Sequence, residues 1–159
     1  MTDGLAFVEK EIVLADGRTV GEGLVSDPWI RDRLLVPILA VDEAGLPRYR
    51  LVYLELPRGH WKSGGAAAIA TAEAALHPST DVVVGAADTE QARIILENVA
   101  GYLRLNAALG ALFTSRRDEF FTEAGSRIRV ISSDAPSAYG LGGTHRRFRV
   151  ITDELTTWK

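Results

Sequence analysis

The sequence predicts an α/β fold with a mainly parallel sheet flanked by helices, and three observations predict it. Thr80 to Ala87 is a continuous apolar run with three consecutive valines at 82 to 84, the pattern of a strand buried on both faces. Strand-like and helix-like segments alternate along the chain, the order of a sheet built through helical crossovers. A run rich in β-formers, Tyr49 to Leu56, passes through Pro57-Arg58-Gly59-His60-Trp61 into Lys62-Ser63 and a run of small residues. A strand, a turn and a helix opening on Lys-Ser is an arrangement that can hold a phosphate.

The chain has 159 residues, 47% hydrophobic and 25% charged, which suits one domain. Its formal net charge of −3 gives no global basic signature for nucleic acid, so any such contact would need a local patch. Cysteine is absent, which excludes a disulfide framework and a cysteine-based metal site. No apolar run approaches the roughly 20 residues of a membrane span. Met1-Thr2-Asp3-Gly4 has neither the basic start nor the apolar core of a signal peptide.

Taken in order, Leu5 to Leu14 reads as a short helix or a strand, and Ala15-Asp16-Gly17-Arg18 as a turn. Residues 19–26 are polar and Gly-rich, hence irregular. Asp27 can cap a helix with Pro28 at its first position. That helix runs to about Val41, with Ile30, Leu34, Leu35, Ile38 and Leu39 on one face, and Pro37 predicts a kink or an early end. Asp42 to Pro47 is a turn, and Tyr49 to Leu56 a strand. Ser63 to Leu76 is a helix of small residues ended by His77-Pro78. After the valine strand, Asp88 with Gln91 resembles a capping box for a helix reaching about Asn106. Ala107 to Phe113 reads as another short helix. Asp118–Thr122 and Arg127–Ser132 flank Glu123-Ala124-Gly125-Ser126 as a hairpin. Residues 133–146 form a loop, and Phe148 to Thr152 a short apolar strand that meets Asp153-Glu154.

The chemistry rests on two stretches. Against the phosphate-loop pattern G-x-x-x-x-G-K-[ST], Lys62 and Ser63 fit, while Leu56 and Trp61 stand where glycines are expected. In this pattern the lysine reaches the β/γ-phosphates and the hydroxyl holds Mg²⁺. An Asp ending an apolar strand can hold Mg²⁺, and a neighbouring carboxylate can deprotonate an attacking water. A lysine loop followed about 90 residues later by an Asp-Glu strand end is more specific than either piece alone.

Four stretches, in order over residues 25–159, resemble phage terminase large subunits. They are Pro57-Arg58-Gly59-His60-Trp61-Lys62-Ser63, Val84-Gly85-Ala86-Ala87-Asp88-Thr89-Glu90-Gln91-Ala92, Arg127 to Ala135 with Tyr139-Gly140-Leu141, and Val150 to Trp158. The resemblance implies the ATPase half of a DNA-packaging motor. It implies a P-loop NTPase of the additional-strand type, in which another strand lies between the phosphate-loop strand and the acidic strand. Residues 1–159 would be a single partial ATPase domain, with 1–45 a lead-in. The chain would stop just after the acidic strand, before a coupling segment and a nuclease domain.

By this resemblance, Arg58, Gly59, His60, Trp61, Lys62 and Ser63 cradle ATP, and Ser63 and Asp153 hold Mg²⁺. Glu154 activates water, and Arg58 contacts or senses the γ-phosphate. The implied partners are double-stranded DNA, the portal of the procapsid, the small terminase subunit and further copies in a homo-oligomeric ring. The implied setting is the host cytoplasm, with no membrane. An arginine finger would be needed; Arg116, Arg117, Arg146 and Arg147 are candidates by position or exposure.

Trp61 departs from the family's glycine and is expected to resist a tight loop, because glycine alone adopts left-handed backbone without cost. Trp29 reads as a core residue before it reads as an adenine stack. His60 is a loop residue, and His77 and His145 read as surface; none has metal spacing. Two alternatives remain open at this stage. One is a nucleotide-weak or inactive module in DNA or capsid assembly. The other is a P-loop ATPase of helicase or partition type.

Overall fold

The valine run forms β1 (Thr80–Ala86), and every residue of it is buried. Each fully buried valine contributes about 1.5–3 kcal/mol, so this run belongs inside the sheet. The computed structural model describes residues 3–15, 17–24, 27–49, 51–57, 59–86, 89–132 and 147–152. The sheet has five strands in the order β2-β3-β4-β1-β5. Its other members are β2 (Phe113–Arg116), β3 (Glu119–Thr122), β4 (Arg127–Ser132) and β5 (Arg147–Thr152). β1 pairs in parallel with β4 on one side and β5 on the other.

The sheet is mixed rather than mainly parallel, because β2–β3 and β3–β4 are antiparallel. A short connection can only reverse a strand, and Gly125 supplies the reversal between β3 and β4 at φ 80. The hairpin therefore lies where the sequence places it. β2 was not expected: helix α6 (Ala107–Gly110) stops early, and Phe113 opens a strand instead of closing a helix.

α1 (Gly4–Glu11) settles the first segment as a helix, capped by Asp3. Asp27 caps α2 (Pro28–Ile30), accepting from Trp29 N at 2.8 Å. The chain then widens into a π-helical stretch, Arg31–Leu35, before α3 (Val36–Leu39). Pro37 has no N–H for the helical ladder, which accounts for the irregular winding and the end at Leu39. Leu34, Leu35 and Leu39 are buried as expected.

α4 (Lys62–Leu76) and α5 (Thr89–Leu105) pack on each other and on β1. α4 is buried almost all round through Gly64, Gly65, Ala67, Ala68, Ala70, Ala72 and Ala74; its small side chains let α1, α5 and the sheet approach closely. α5 buries Ala92, Ile95, Leu96, Val99 and Tyr102, the stripe of an amphipathic helix. Among the described residues, no helix is long and apolar enough to cross a membrane.

The strand expected over Tyr49 to Leu56 does not form. Residues 51–57 carry no regular secondary structure, and Leu51 and Tyr53 are 87% and 70% exposed. β propensity expresses fit against a neighbouring strand. No described strand is hydrogen-bonded to this stretch, so its composition has nothing to act on.

Candidate functional site

The loop before α4 contains two left-handed residues, Gly59 at φ 78 and Trp61 at φ 56, ψ 26. α4 begins directly after Trp61, and the bond from Gly65 N to Trp61 O, 2.7 Å, closes its first turn. Lys62 and Ser63 are its first two residues; both are partly buried and both are engaged in interactions. A left-handed conformation costs a side-chain-bearing residue about 1–2 kcal/mol, yet Trp61 adopts it.

The packing explains why the expected resistance is overcome. The Trp61 indole folds onto the start of α4. A Cβ at Gly64 would lie 2.6 Å from Trp61 Cδ1, and one at Gly65 3.2 Å from Cε3. The two glycines thus make room for the ring. The indole also hydrogen-bonds the Tyr102 hydroxyl on α5, and Tyr102 Oη donates to Gly64 O at 3.0 Å. Burial pushes the Tyr102 phenol up to about 12, only partly offset by the indole bond. Sequence reading missed Tyr102; the signal was the Gly64-Gly65 pair, costly in a helix.

This junction fits an anion. The first N–H groups of a helix lack intrahelical acceptors, and the helix dipole adds positive potential there. The first turn of α4 carries no acidic residue, and it supplies the Lys62 ammonium and the Ser63 hydroxyl. A Cβ at Gly59 would meet nothing within 4 Å, so the loop is open at that point. For Mg²⁺, the Ser63 hydroxyl is a suitable oxygen donor. Asp153, Glu154 and Arg58 lie outside the described residues, as do Asp88, His145 and Arg146. Among the described residues, no group of three His, Asp or Glu could hold a metal.

β1, β4 and β5 finish side by side, with Gly85 opposite Thr152 and Ala86 opposite Ser132. Ligands of parallel sheets bind outside such carboxyl ends, and Asp153-Glu154 follow Thr152 in sequence. The structure thus brings Gly59, His60, Trp61, Lys62 and Ser63 together at one loop–helix junction. The acidic pair follows β5 in sequence and lies outside the described residues.

The best-defined buried charges are structural. Asp81, 0% exposed, accepts four hydrogen bonds of 2.9–3.1 Å from Arg127 and Arg129. Burial raises its pKa, but the bonds from Arg129 and Arg127 outweigh this and hold it below the ordinary carboxylate range. Glu73 of α4 pairs with Arg149 at 2.8 Å and Arg147 at 3.1 Å. Arg147 also donates to Gly45 O at 2.6 Å. Its side chain is 10% exposed, which removes it as a candidate finger in this conformation. Arg116, the last residue of β2, and Arg117 after it are exposed.

His77 is not a surface residue. It is half-buried, and burial, followed by the Arg147 charge, lowers its pKa. Trp29 is not core but 58% exposed.

No protein-family model matches the chain, and no curated protein sequence matches it significantly. Among solved structures, it is similar to the crystal structure of the HK97 bacteriophage large terminase, with a TM-score of 0.72 and 21% identity. The match covers 87% of this chain and 28% of that one, so the chain spans little more than a quarter of its structural counterpart. The likeness agrees with the resemblance in the four stretches at the level of the fold: the chain has the α/β fold found in a phage large terminase.

Proposed function

We propose that this chain is the ATP-hydrolysing part of a phage DNA-packaging motor. The observation that carries the reading is the junction at Trp61: a left-handed residue directly before a helix whose first two residues are Lys62 and Ser63. The fold shared with a large terminase supports it. So does the indole's engagement with Gly64 and Tyr102, which favours nucleotide binding over a loop filled by its own side chain.

In this reading Lys62 pairs with the β/γ-phosphates, and the loop N–H groups orient them. Ser63 and Asp153 hold Mg²⁺, which when bound neutralises charge on the phosphate oxygens. Glu154 accepts a proton from the attacking water. Arg58 reaches the γ-phosphate. Double-stranded DNA, the procapsid portal, the small terminase subunit and a ring of further copies belong to the same proposal, as does the host cytoplasm.

The test is Mg-ATP binding by calorimetry, with Lys62→Ala as control, and turnover of Glu154→Ala. Saturable binding should weaken at least about tenfold without Lys62, the scale of a lost charge-assisted contact. Glu154→Ala should bind ATP but lose turnover. Absence of binding at millimolar nucleotide would overturn the reading, and unchanged turnover without Glu154 would remove its role.

A further inference from the structure

Trp61 occupies a backbone conformation that normally belongs to glycine, and its side chain is not idle there. The indole has one N–H and no acceptor. That N–H is met by the hydroxyl of Tyr102, a residue 1% exposed. The hydroxyl in turn donates to the carbonyl of Gly64 at 3.0 Å. Tyr102 therefore accepts from the residue that ends the loop and donates to the third residue of the helix that follows. Gly64 and Gly65 leave the space in which the indole lies. The arrangement closes a circuit from loop to α5 and back to α4.

The circuit addresses a specific physical problem. Without it, Trp61 would relax from φ 56 toward an ordinary right-handed or extended conformation, turning the N–H groups at the start of α4 and the Lys62 side chain away from their present direction. Buried hydrogen bonds of this kind hold a geometry because leaving either partner unmet is costly. The hydroxyl also keeps its proton throughout the neutral range, its phenol being pushed up to about 12 chiefly by burial, so the donor to Gly64 is constant.

We propose that Tyr102 is a positioning residue for the phosphate loop, acting through the Trp61 indole to hold the left-handed turn before Lys62. This rests on the nucleotide-binding reading above and adds to it a residue on another helix. It also assigns Gly64 and Gly65 a role as the bed of the indole.

The experiment is a double-mutant cycle of Tyr102→Phe and Trp61→Gly, with Mg-ATP binding measured by calorimetry. Tyr102→Phe keeps the ring and removes only the hydroxyl. In the chain with Trp61 it should weaken binding about tenfold, the scale of one unmade buried hydrogen bond. In the Trp61→Gly chain, where glycine adopts the turn unaided, the same substitution should change binding by less than about twofold. Equal losses in both backgrounds would make Tyr102 an ordinary core residue, and no loss in either would overturn the proposal.

A second readout separates this idea from the reading beneath it. The indole N–H of Trp61, identified in the nitrogen–proton spectrum by its disappearance in Trp61→Phe, should exchange slowly and lose that protection in Tyr102→Phe. If the parent chain binds no Mg-ATP, the nucleotide reading fails. Loss of indole protection in Tyr102→Phe would then still uphold the link from Tyr102 to the loop. An indole signal indifferent to Tyr102→Phe would overturn it whatever the nucleotide result.

Discussion

A tryptophan held left-handed is stable only if its ring gains what its backbone loses. Two adjacent glycines provide the place, so their value depends on Trp61. Gly64→Ala would ordinarily favour a helix by about 1 kcal/mol. Here the added methyl would overlap the indole, 2.6 Å from Cδ1. We expect Gly64→Ala to destabilise the chain by about 1–2 kcal/mol, the cost of overpacking. In a Trp61→Gly background it should become neutral or stabilising. Urea midpoints of the four chains decide this. The glycine pair was visible in the sequence, but its reason was not, because Tyr102 stands 38 residues from Gly64 and only the packing of α5 on α4 brings them together.

At the scale of elements, buried ion clusters do much of the joining. Asp81 ties β1 to β4 through Arg127 and Arg129, and Glu73 ties α4 to β5 through Arg147 and Arg149. Removing one member of such a cluster strands the others, so Asp81→Ala should cost about 3 kcal/mol, read as a lowered denaturation midpoint. The pH dependence follows from two lowered pKa values. Asp81 and His77 both bind protons more readily in the unfolded chain. Their stability is complete above the unfolded values of about 3.9 and 6.5 and is lost as pH falls through each toward the folded value. His77→Gln should therefore flatten the decline just below about pH 6.5, leaving the carboxylate transition at lower pH, as measured by urea midpoints between neutral and acid pH. These clusters were not legible from spacing, since Glu73 and Arg149 lie 76 residues apart. The valine strand, the hairpin and the two long helices were legible because each is fixed by its own local pattern.

Across the whole molecule, the sheet of the described residues ends at β5, where Phe148 and Val150 are 37% and 51% exposed. Tyr49 to Leu56 has the composition of a strand, and no strand among the described residues pairs with it. The second observation marks where sequence reading ran ahead of structure: propensity identifies what can pair, whereas pairing needs a neighbour. An open apolar sheet edge invites association. Val150→Lys should keep the chain monomeric to higher concentration in sedimentation velocity, with stability within about 0.5 kcal/mol of the parent because the site is exposed. A parent chain that stays monomeric under the same conditions would show that this edge does not associate. The fold shared with a phage large terminase was anticipated from residues quoted above. Asp153 and Glu154 lie outside the described residues.

The seat beneath Trp61 has a chemical consequence of its own. Its glycine floor and tyrosine wall are a mould of a bicyclic aromatic, and Trp61→Gly would empty it. Vacated apolar hollows admit small aromatic guests of matching shape, so free indole added to that variant would dock where the side chain had been. The chain would then carry an externally addressable plug beside its loop, inserted or withdrawn by concentration alone.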